Sequence, residues 1–358
     1  MKAYVMVGAL FVSSLLLAQA PTTIRLKPRN ARLASEFSDL SAIRELRDGR
    51  VLLFDRKESQ LLLADFASGS TTKIGRTGQG PGEYQIIVAL LPLGGDSTLA
   101  SDFSRWLILD GAEIVATLPP DTPAIRAVML VPLGADRNGR VLTRRFGGGW
   151  AGRAQMRPDS SVVALVDRAT GRSDTVATLR IGVRRAQARP ATGPDGRMTA
   201  VSISRVPLNS QEEPVLFADG WLAIARLEPY RVDWRSPDGQ WIRGAPLPFR
   251  PVPMSDRERD AYIANHRWAR NATDWPETAP PFDMSPLLSS PDGRLVIARL
   301  PSADNPDTRY DLIDRRGVST GQLLLAANER ILGFGAVATY VIATDDDGIQ
   351  RLQRHPWP

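Results

Sequence analysis

One pattern constrains this chain more than any other. Apolar strands meet turns that carry glycine, usually as Asp-Gly or Asn-Gly, and the arrangement recurs along most of the length. The first turn of each unit contains Asp48-Gly49-Arg50, Gly94-Gly95-Asp96, Asn138-Gly139-Arg140, Asp219-Gly220, Asp292-Gly293-Arg294 and, less typically, Gly335. The second contains Ser68-Gly69, Asp110-Gly111, Thr170-Gly171, Asp238-Gly239 or Arg316-Gly317. Asp-Gly and Asn-Gly favour two-residue hairpins, because both central residues must accept positive φ. Between the turns the residues alternate or run apolar, as in Val51-Leu52-Leu53-Phe54 and Leu295-Val296-Ile297-Ala298. Units of about 40 to 50 residues, each a meander of three or four strands, describe propeller blades. The fold class that follows is all-β, a six-bladed β-propeller.

The last unit supplies only three strand candidates, and residues 22–27 form an orphan strand at the other end of the chain. Pairing the two completes a fourth strand and closes the ring, removing the exposed edges of an open array. The expected inner strands are 42–46, 88–93, 128–133, 215–218, 285–289 and 331–335. Two intervals are long. The first holds an arginine-rich excursion over residues 181–210, where Pro194-Asp195-Gly196-Arg197 offers an extra hairpin and an additional blade stays open. The second holds a helical insertion, residues 251–286, rich in proline and tryptophan. Its Ser255-Asp256-Arg257-Glu258 reads as a capping box, and no Gly or Pro follows until after Arg270.

At the amino terminus, Lys2 precedes an apolar run over residues 5–17, and Ala18-Gln19-Ala20 resembles a signal-peptidase site. Residues 1–20 therefore read as a signal peptide and 21–358 as the propeller. Pro21 is a poor residue just after a cut, so cleavage after Ala18 stays open, as does an uncleaved anchor. The location that follows is exported, periplasmic or extracellular. Cysteine is absent, which excludes disulfides, thiolate sites and a lipoprotein cysteine. Only His266 and His355 supply imidazole, so multi-histidine zinc sites and His-based triads are nearly closed off. The formal charge of +6 is carried almost wholly by scattered arginine among nearly matching acid. No nucleic-acid module is visible, and membrane contact is expected only through the signal sequence or anchor.

Residues 75–84 read Gly-Arg-Thr-Gly-Gln-Gly-Pro-Gly-Glu-Tyr. A P-loop would need Lys after its last glycine, and here Pro81 follows Gly80. A dinucleotide fingerprint from Gly78 would need glycine where Glu83 stands. Gly80-Pro81-Gly82 instead fits a type II turn, with Pro81 presetting φ and Gly82 taking the positive value. The stretch reads as a joint between repeats, with ligand contact by its polar groups as the alternative. Together with Met254-Ser-Asp-Arg-Glu-Arg-Asp-Ala-Tyr-Ile263 and Arg330-Ile-Leu-Gly-Phe-Gly335, it resembles a family of exported bacterial six-bladed β-propellers. That family is related in architecture to NHL-repeat propellers and is largely without assigned activity. The resemblance implies a fold and little else, because propellers host unrelated functions.

Among the expected inner strands the only carboxylate is Glu45, too few for a calcium site unless loops such as those of Asp102, Asp136 or Asp219 contribute. Ser70-Thr71-Thr72-Lys73 has Ser-x-x-Lys spacing but reads as strand, where Lys cannot fold back on Ser. Asp345-Asp346-Asp347-Gly348 lacks EF-hand spacing and sits where a hairpin turn is wanted. No catalytic residue, metal or cofactor is expected. The insertion is the better functional candidate, because tryptophans in a loop supply stacking surface. Ligand-binding candidates are Trp268 and Trp275, then Arg76, Gln79 and Glu83; packing of both tryptophans onto the rim is the alternative. The reading is a non-catalytic exported propeller that binds a protein, peptide or glycan of the cell envelope through one face. The alternatives are a hydrolase or lyase acting at the channel mouth, and a structural part of an envelope complex.

Overall fold

A computed structural model describes residues 22–102, 105–128, 132–146, 160–182, 188–192, 198–203, 206–283 and 287–358. The signal-peptide reading lies outside the described residues. Six antiparallel sheets form a six-bladed β-propeller. Blade one is Leu40–Glu45, Val51–Asp55, Gln60–Asp65 and Ser70–Ile74. Blade two is Ile87–Gly94, Ser97–Asp102, Trp106–Asp110 and Glu113–Leu118. Blade three is Gly134–Ala135, Arg140–Phe146, Ser160–Asp167 and Ser173–Arg180. Blade four is Glu213–Leu216, Leu222–Leu227, Tyr230–Arg235 and Trp241–Ile242. Blade five is Leu288–Ser289, Leu295–Ala298, Thr308–Ile313 and Ser319–Leu325. Blade six is Glu329–Phe334, Ala338–Thr344 and Gln350–Pro356, completed from the amino-terminal side. Each first strand touches the next around the ring, and that of blade six touches that of blade one.

The apolar runs on the second strands explain why the sheets stack. Successive side chains on a strand point to opposite faces, and in a blade both faces are covered by neighbours. In blade one, Val51 and Leu53 pack toward blade six while Leu52 and Phe54 pack toward blade two. In blade four, Leu222 and Ile224 face blade three while Ala223 and Ala225 face blade five. Each of the six interfaces has its own buried cluster, and a seventh belongs to the insertion.

Closure comes from the amino-terminal side, but not through residues 22–27. Ala31–Arg32 pairs antiparallel with Gln350–Pro356, and Phe37 bridges Gln350. Leu33, fully buried, and Phe37 enter the core between blades six and one. Thr23–Arg25 pairs parallel with Ser319–Leu325 and becomes a fifth, outermost strand of blade five. Core packing at Leu33 and Phe37 decides the pairing over the alternation of residues 22–27.

Three other expectations change. The inner strand of blade three is Gly134–Ala135, just past the expected 128–133; helix Pro123–Val128 takes in residue 128, and residues 129–131 lie outside the described residues. Ala188–Thr192 and Met198–Ile203 form a two-stranded sheet of their own, so no blade is added; the turn at residues 193–197 lies outside the described residues. Seven of the glycine hairpins are three-residue rather than two-residue loops, whereas Asp110 pairs with Glu113 across a two-residue loop as expected. In the first, Gly49 N–H donates to Leu46 O and Leu46 N–H to Arg50 O, with positive φ at Gly49 alone. Six further turns repeat these two bonds, at Asp136, Phe217, Ser236, Ser290, Asp314 and Asp345. The type I turn followed by a left-handed glycine spares the preceding Asp or Asn a positive φ.

The meander sorts its connections between two faces. Tight turns join first to second and third to fourth strands at one end of the blades. The other end carries the long connections between blades, over residues 75–86, 119–133, 181–212 and 243–287, and the 299–307 loop of blade five.

Candidate functional site

A cleft opens on the long-connection face, between the insertion and blade five. The insertion leaves blade four at Phe249, pairs Val252–Pro253 with Thr278–Ala279, and carries helix Asp256–Asn265 and the 3-10 turn Arg267–Asn271. Ser255 caps the helix by accepting from Glu258 N–H at 3.4 Å. The reciprocal half of the capping box is missing, because the Glu258 carboxylate accepts instead from Ala303 N–H at 3.0 and 3.1 Å. That bond ties the helix to the 299–307 loop. Below it, Leu208, Met254, Tyr262 and Ala269 form the insertion's own core, with Trp275 packed against it.

The cleft has a volume of about 310 Å³. One wall is Met254, Glu258, Tyr262, Ala279, Pro280 and Pro281; the other is Arg299, Leu300, Pro301, Ser302, Asn305, Arg309 and Gln322. A second cavity of about 230 Å³ adjoins it, shares Asn305, Arg309 and Gln322, and ends at Thr23, Asp307 and Leu324.

Behind the blade-five wall lies a charged network. Arg299 Nη1 lies 2.9 Å from Asp311 Oδ2, and its guanidinium sits over the rings of Tyr230 and Phe249 at 5.0 and 5.1 Å. Asp311 also accepts from Tyr230 Oη at 2.6 Å and from Gln322 Nε2 at 2.7 Å. Burial pushes the Tyr230 hydroxyl well above the usual tyrosine range, and the Asp311 charge adds to the effect. It therefore stays protonated and donates. Arg309, half-buried, and Arg250, exposed, have no side-chain hydrogen bond or ion pair among the described residues. Sequence reasoning missed this assembly, which draws on three separated segments; the only signal was the excess of arginine.

The predicted ligand residues fall into two groups on opposite sides of the ring, in the blade one-to-two and blade four-to-five connections. In the first, Glu83 N–H donates to Gly80 O at 3.1 Å and Gly82 has φ +71°, as the predicted type II turn requires. Glu83 accepts from Arg76 Nε at 2.6 Å and from Gly80 N–H at 2.7 Å, while Arg105 donates to the Gln79 carbonyl at 2.8 Å. These bonds lower the Glu83 carboxyl from its usual value, the one from Gly80 most. Its carboxylate fills the space a Cβ at Gly78 would occupy. Tyr84, fully buried, accepts from Leu61 N–H and donates to Ile74 O, binding the joint to blade one.

In the second group both tryptophans surround Tyr262, edge-on at 6.4 Å for Trp268 and 5.7 Å for Trp275. His266 stacks on the Tyr262 ring at 4.1 Å. Trp275 is half-buried with Nε1 donating to Ala272 O, whereas Trp268 is 44% exposed.

The carboxylates considered for metal are engaged locally. Glu45 accepts from Tyr340 Oη and Ala336 N–H, joining blade six to blade one. Asp102 accepts from Gln85 N–H, Asp136 from Arg140, and Asp219 pairs with Arg315. Glu213, which belongs to an inner strand, pairs with Arg144. Among the described residues no group of three His, Asp or Glu side chains stands together to hold a metal ion. None of the described helices is long and apolar enough to cross a membrane.

No family profile matches this chain, and no curated protein does. Solved structures similar to it include a candidate exported protein of Bacteroides fragilis, at 12% identity over 94% of this chain and 99% of that one, TM-score 0.48. A member of the DUF4221 family from Bacteroides vulgatus aligns at 11% identity over 94% and 95%, TM-score 0.46. The calcium-binding protein regucalcin of Agrobacterium tumefaciens aligns at 13% identity over 94% and 97%, TM-score 0.39. At such identities the likeness concerns the fold alone.

Proposed function

We propose that this chain is an exported binding protein, non-catalytic, which takes a protein, peptide or glycan of the cell envelope on its long-connection face. The observation that carries the reading is the gathering of the insertion and both cavities on that face, while the hairpins at the opposite face are tight turns among the described residues. Binding sites favour concave surfaces of about this size. The carboxylates nearest the cleft, Glu258 and Asp311, are held by Ala303 N–H and by Arg299, Tyr230 and Gln322, which suits a rigid wall better than proton transfer. Export rests on Lys2, the apolar run over residues 5–17 and Ala18-Gln19-Ala20.

Affinity capture from an envelope fraction, with the mature chain as bait, tests the reading. Trp268→Ala combined with Trp275→Ala should weaken capture by on the order of 2 kcal/mol if these rings are contacts. Arg76→Ala combined with Gln79→Ala, across the ring, should leave it unchanged. Melting curves confirm that each variant is folded. A folded tryptophan variant that binds normally removes the insertion from the site, and turnover of the captured ligand would establish the hydrolase or lyase reading.

A further inference from the structure

The two cavities are one groove, and Arg309 stands where they meet. Toward the insertion the groove is lined by Met254, Pro281 and Leu300. Toward the rim it crosses Gln322 and Leu324 to Thr23, in the outermost strand of blade five. Thr23 is in register with Gln322, and Leu324 with Arg309, so the rim cavity lies across three adjacent strands. Strands lie about 4.8 Å apart and Thr23 is offset from Arg309 by two residues along the strand, so Arg309 to Thr23 spans about 12 Å, the length of three to four extended residues. Among the described residues Thr23–Arg25 pairs on one side only, at the edge of its sheet. A sheet edge and an elongated groove suit an extended chain.

Charge selects the ligand further. Arg299, one strand away, is matched by Asp311 at 2.9 Å. Arg309, half-buried, has no carboxylate or other side-chain partner among the described residues, and Asn305 beside it has no side-chain bond either. The acids at the walls are unequal to the task. Glu258 is turned to Ala303 N–H, and Asp307 is exposed at the rim. The aromatic rings lining the groove offer no platform to a sugar: Tyr262 is stacked by His266, and Phe249 lies under Arg299.

We propose, resting on the binding reading above, that the groove takes an extended peptide whose carboxylate meets Arg309 and whose neighbouring apolar side chain enters between Met254, Pro281 and Leu300. The carboxylate comes from an internal Asp or Glu or from the carboxyl terminus.

Fluorescence anisotropy with labelled heptapeptide pools on the mature chain tests this. One amidated pool has a central Glu among Leu, Val and Pro; a second has Gln in its place; a third lacks acids but has a free carboxyl terminus. Labelled hexagalacturonate is titrated alongside as an acidic sugar. The Glu pool or the free-terminus pool should bind, which assigns the source of the carboxylate, and the Gln pool should bind at least about tenfold more weakly. Arg309→Ala and Arg309→Gln should each lose at least about tenfold, Arg309→Lys less, and Arg172→Glu on blade three nothing. Arg309 makes no side-chain bond among the described residues, so its variants should melt close to the parent. Equal binding of the Gln pool, an unaffected Arg309→Gln, or no binding by any peptide pool overturns the proposal. Binding of hexagalacturonate alone overturns it while sustaining the binding reading. Capture from the envelope that depends on Trp268 but not on Arg309 does the same.

Discussion

Replacing Leu33 by alanine tests how the ring is shut. Leu33 is fully buried, and Phe37 nearly so, among Leu332, Tyr340, Ile342 and Leu352 of blade six and Leu40, Val51 and Leu53 of blade one. Its N–H donates to Leu352 O at 3.2 Å, between the bond from Asn30 to Arg354 O and the pair linking Phe37 with Gln350. Leu33→Ala removes a whole buried side chain but none of those backbone bonds. A fully buried leucine so truncated costs about 2 to 5 kcal/mol, and the upper half applies because core from two blades closes on this site. Against a total stability of about 5 to 15 kcal/mol that is a large share. At roughly 2 °C per kcal/mol for a chain of this size, melting should fall by about 7 to 10 °C. Ile24, only half-buried at the rim of blade five, is the comparison. Ile24→Ala should cost about 1 kcal/mol, since a smaller area leaves water and the site is open to relax. Urea titration followed by circular dichroism measures both. If Ile24→Ala proves as costly as Leu33→Ala, the closing role belongs to residues 22–27 and the assignment of Leu33 falls.

Three other perturbations follow from particular contacts. Asp311→Ala leaves Arg299 and the Tyr230 hydroxyl without their acceptor and should destabilise by about 3 to 5 kcal/mol, Asp311→Asn by less, as read by urea midpoints. Gly244→Ala would place a Cβ 2.2 Å from Val232 O, a backbone atom that cannot turn aside, so that variant should fail to accumulate folded; Gly49→Ala meets nothing within 4 Å and should cost only about 1 kcal/mol for its positive φ. Burial opposes ionisation of Asp292, but bonds from Arg294, Ser290 and Trp357 outweigh it and bring the carboxyl from 3.8 down to about 2. Its contribution is therefore complete above pH 3.8 and is lost as pH falls toward 2, and Trp357→Phe should shrink that acid-side loss in urea midpoints measured across the range.

Much of this fold was legible because a glycine that takes positive φ recurs at the first and third hairpins of blades one to five, whatever lies between. The details that failed share a cause. Residues 22–27 alternate like a strand, whereas Ala31–Arg32 is too short to show any period; burial of Leu33 and Phe37 decides the matter, and burial is set by distant residues. Inner strands such as Gly134–Ala135 and Leu288–Ser289 are equally short, so their bounds could not be read from pattern. The joint at residues 75–84 was readable because its constraints are local: Pro81 and Gly82 fix the turn, and Glu83 folds back on it. The cleft was not, since Met254, Arg299 and Arg309 come together only once two strands and an insertion have packed.

The arginines that looked scattered in sequence follow the blades. Asp55, Arg145, Arg226 and Arg299 stand the same distance past their turn glycines, Gly49, Gly139, Gly220 and Gly293, so each ends its second strand toward the long-connection face. In blade one the position is acidic and accepts from the backbone of Ser38 and Asp39 as they enter. In the next three of these blades it is basic and ties down whatever crosses it. Arg145 donates to Ala127 O, Arg226 to Glu212, and Arg299 to Asp311. Blades four and five even repeat the partner: Asp233 is in register with Ile224 and Asp311 with Ile297, each two residues before the arginine it pairs with. In blade three, Ala164 is paired with Thr143 at the matching place, so Arg145 turns to a carbonyl instead. Arginine at this rung is thus a fastening for connections, already neutralised or occupied. Arg309 belongs to the third strand, outside that series, and its side chain has no hydrogen bond or ion pair among the described residues. That difference in position, more than net charge, is why the groove beside it is where an acidic ligand should be sought.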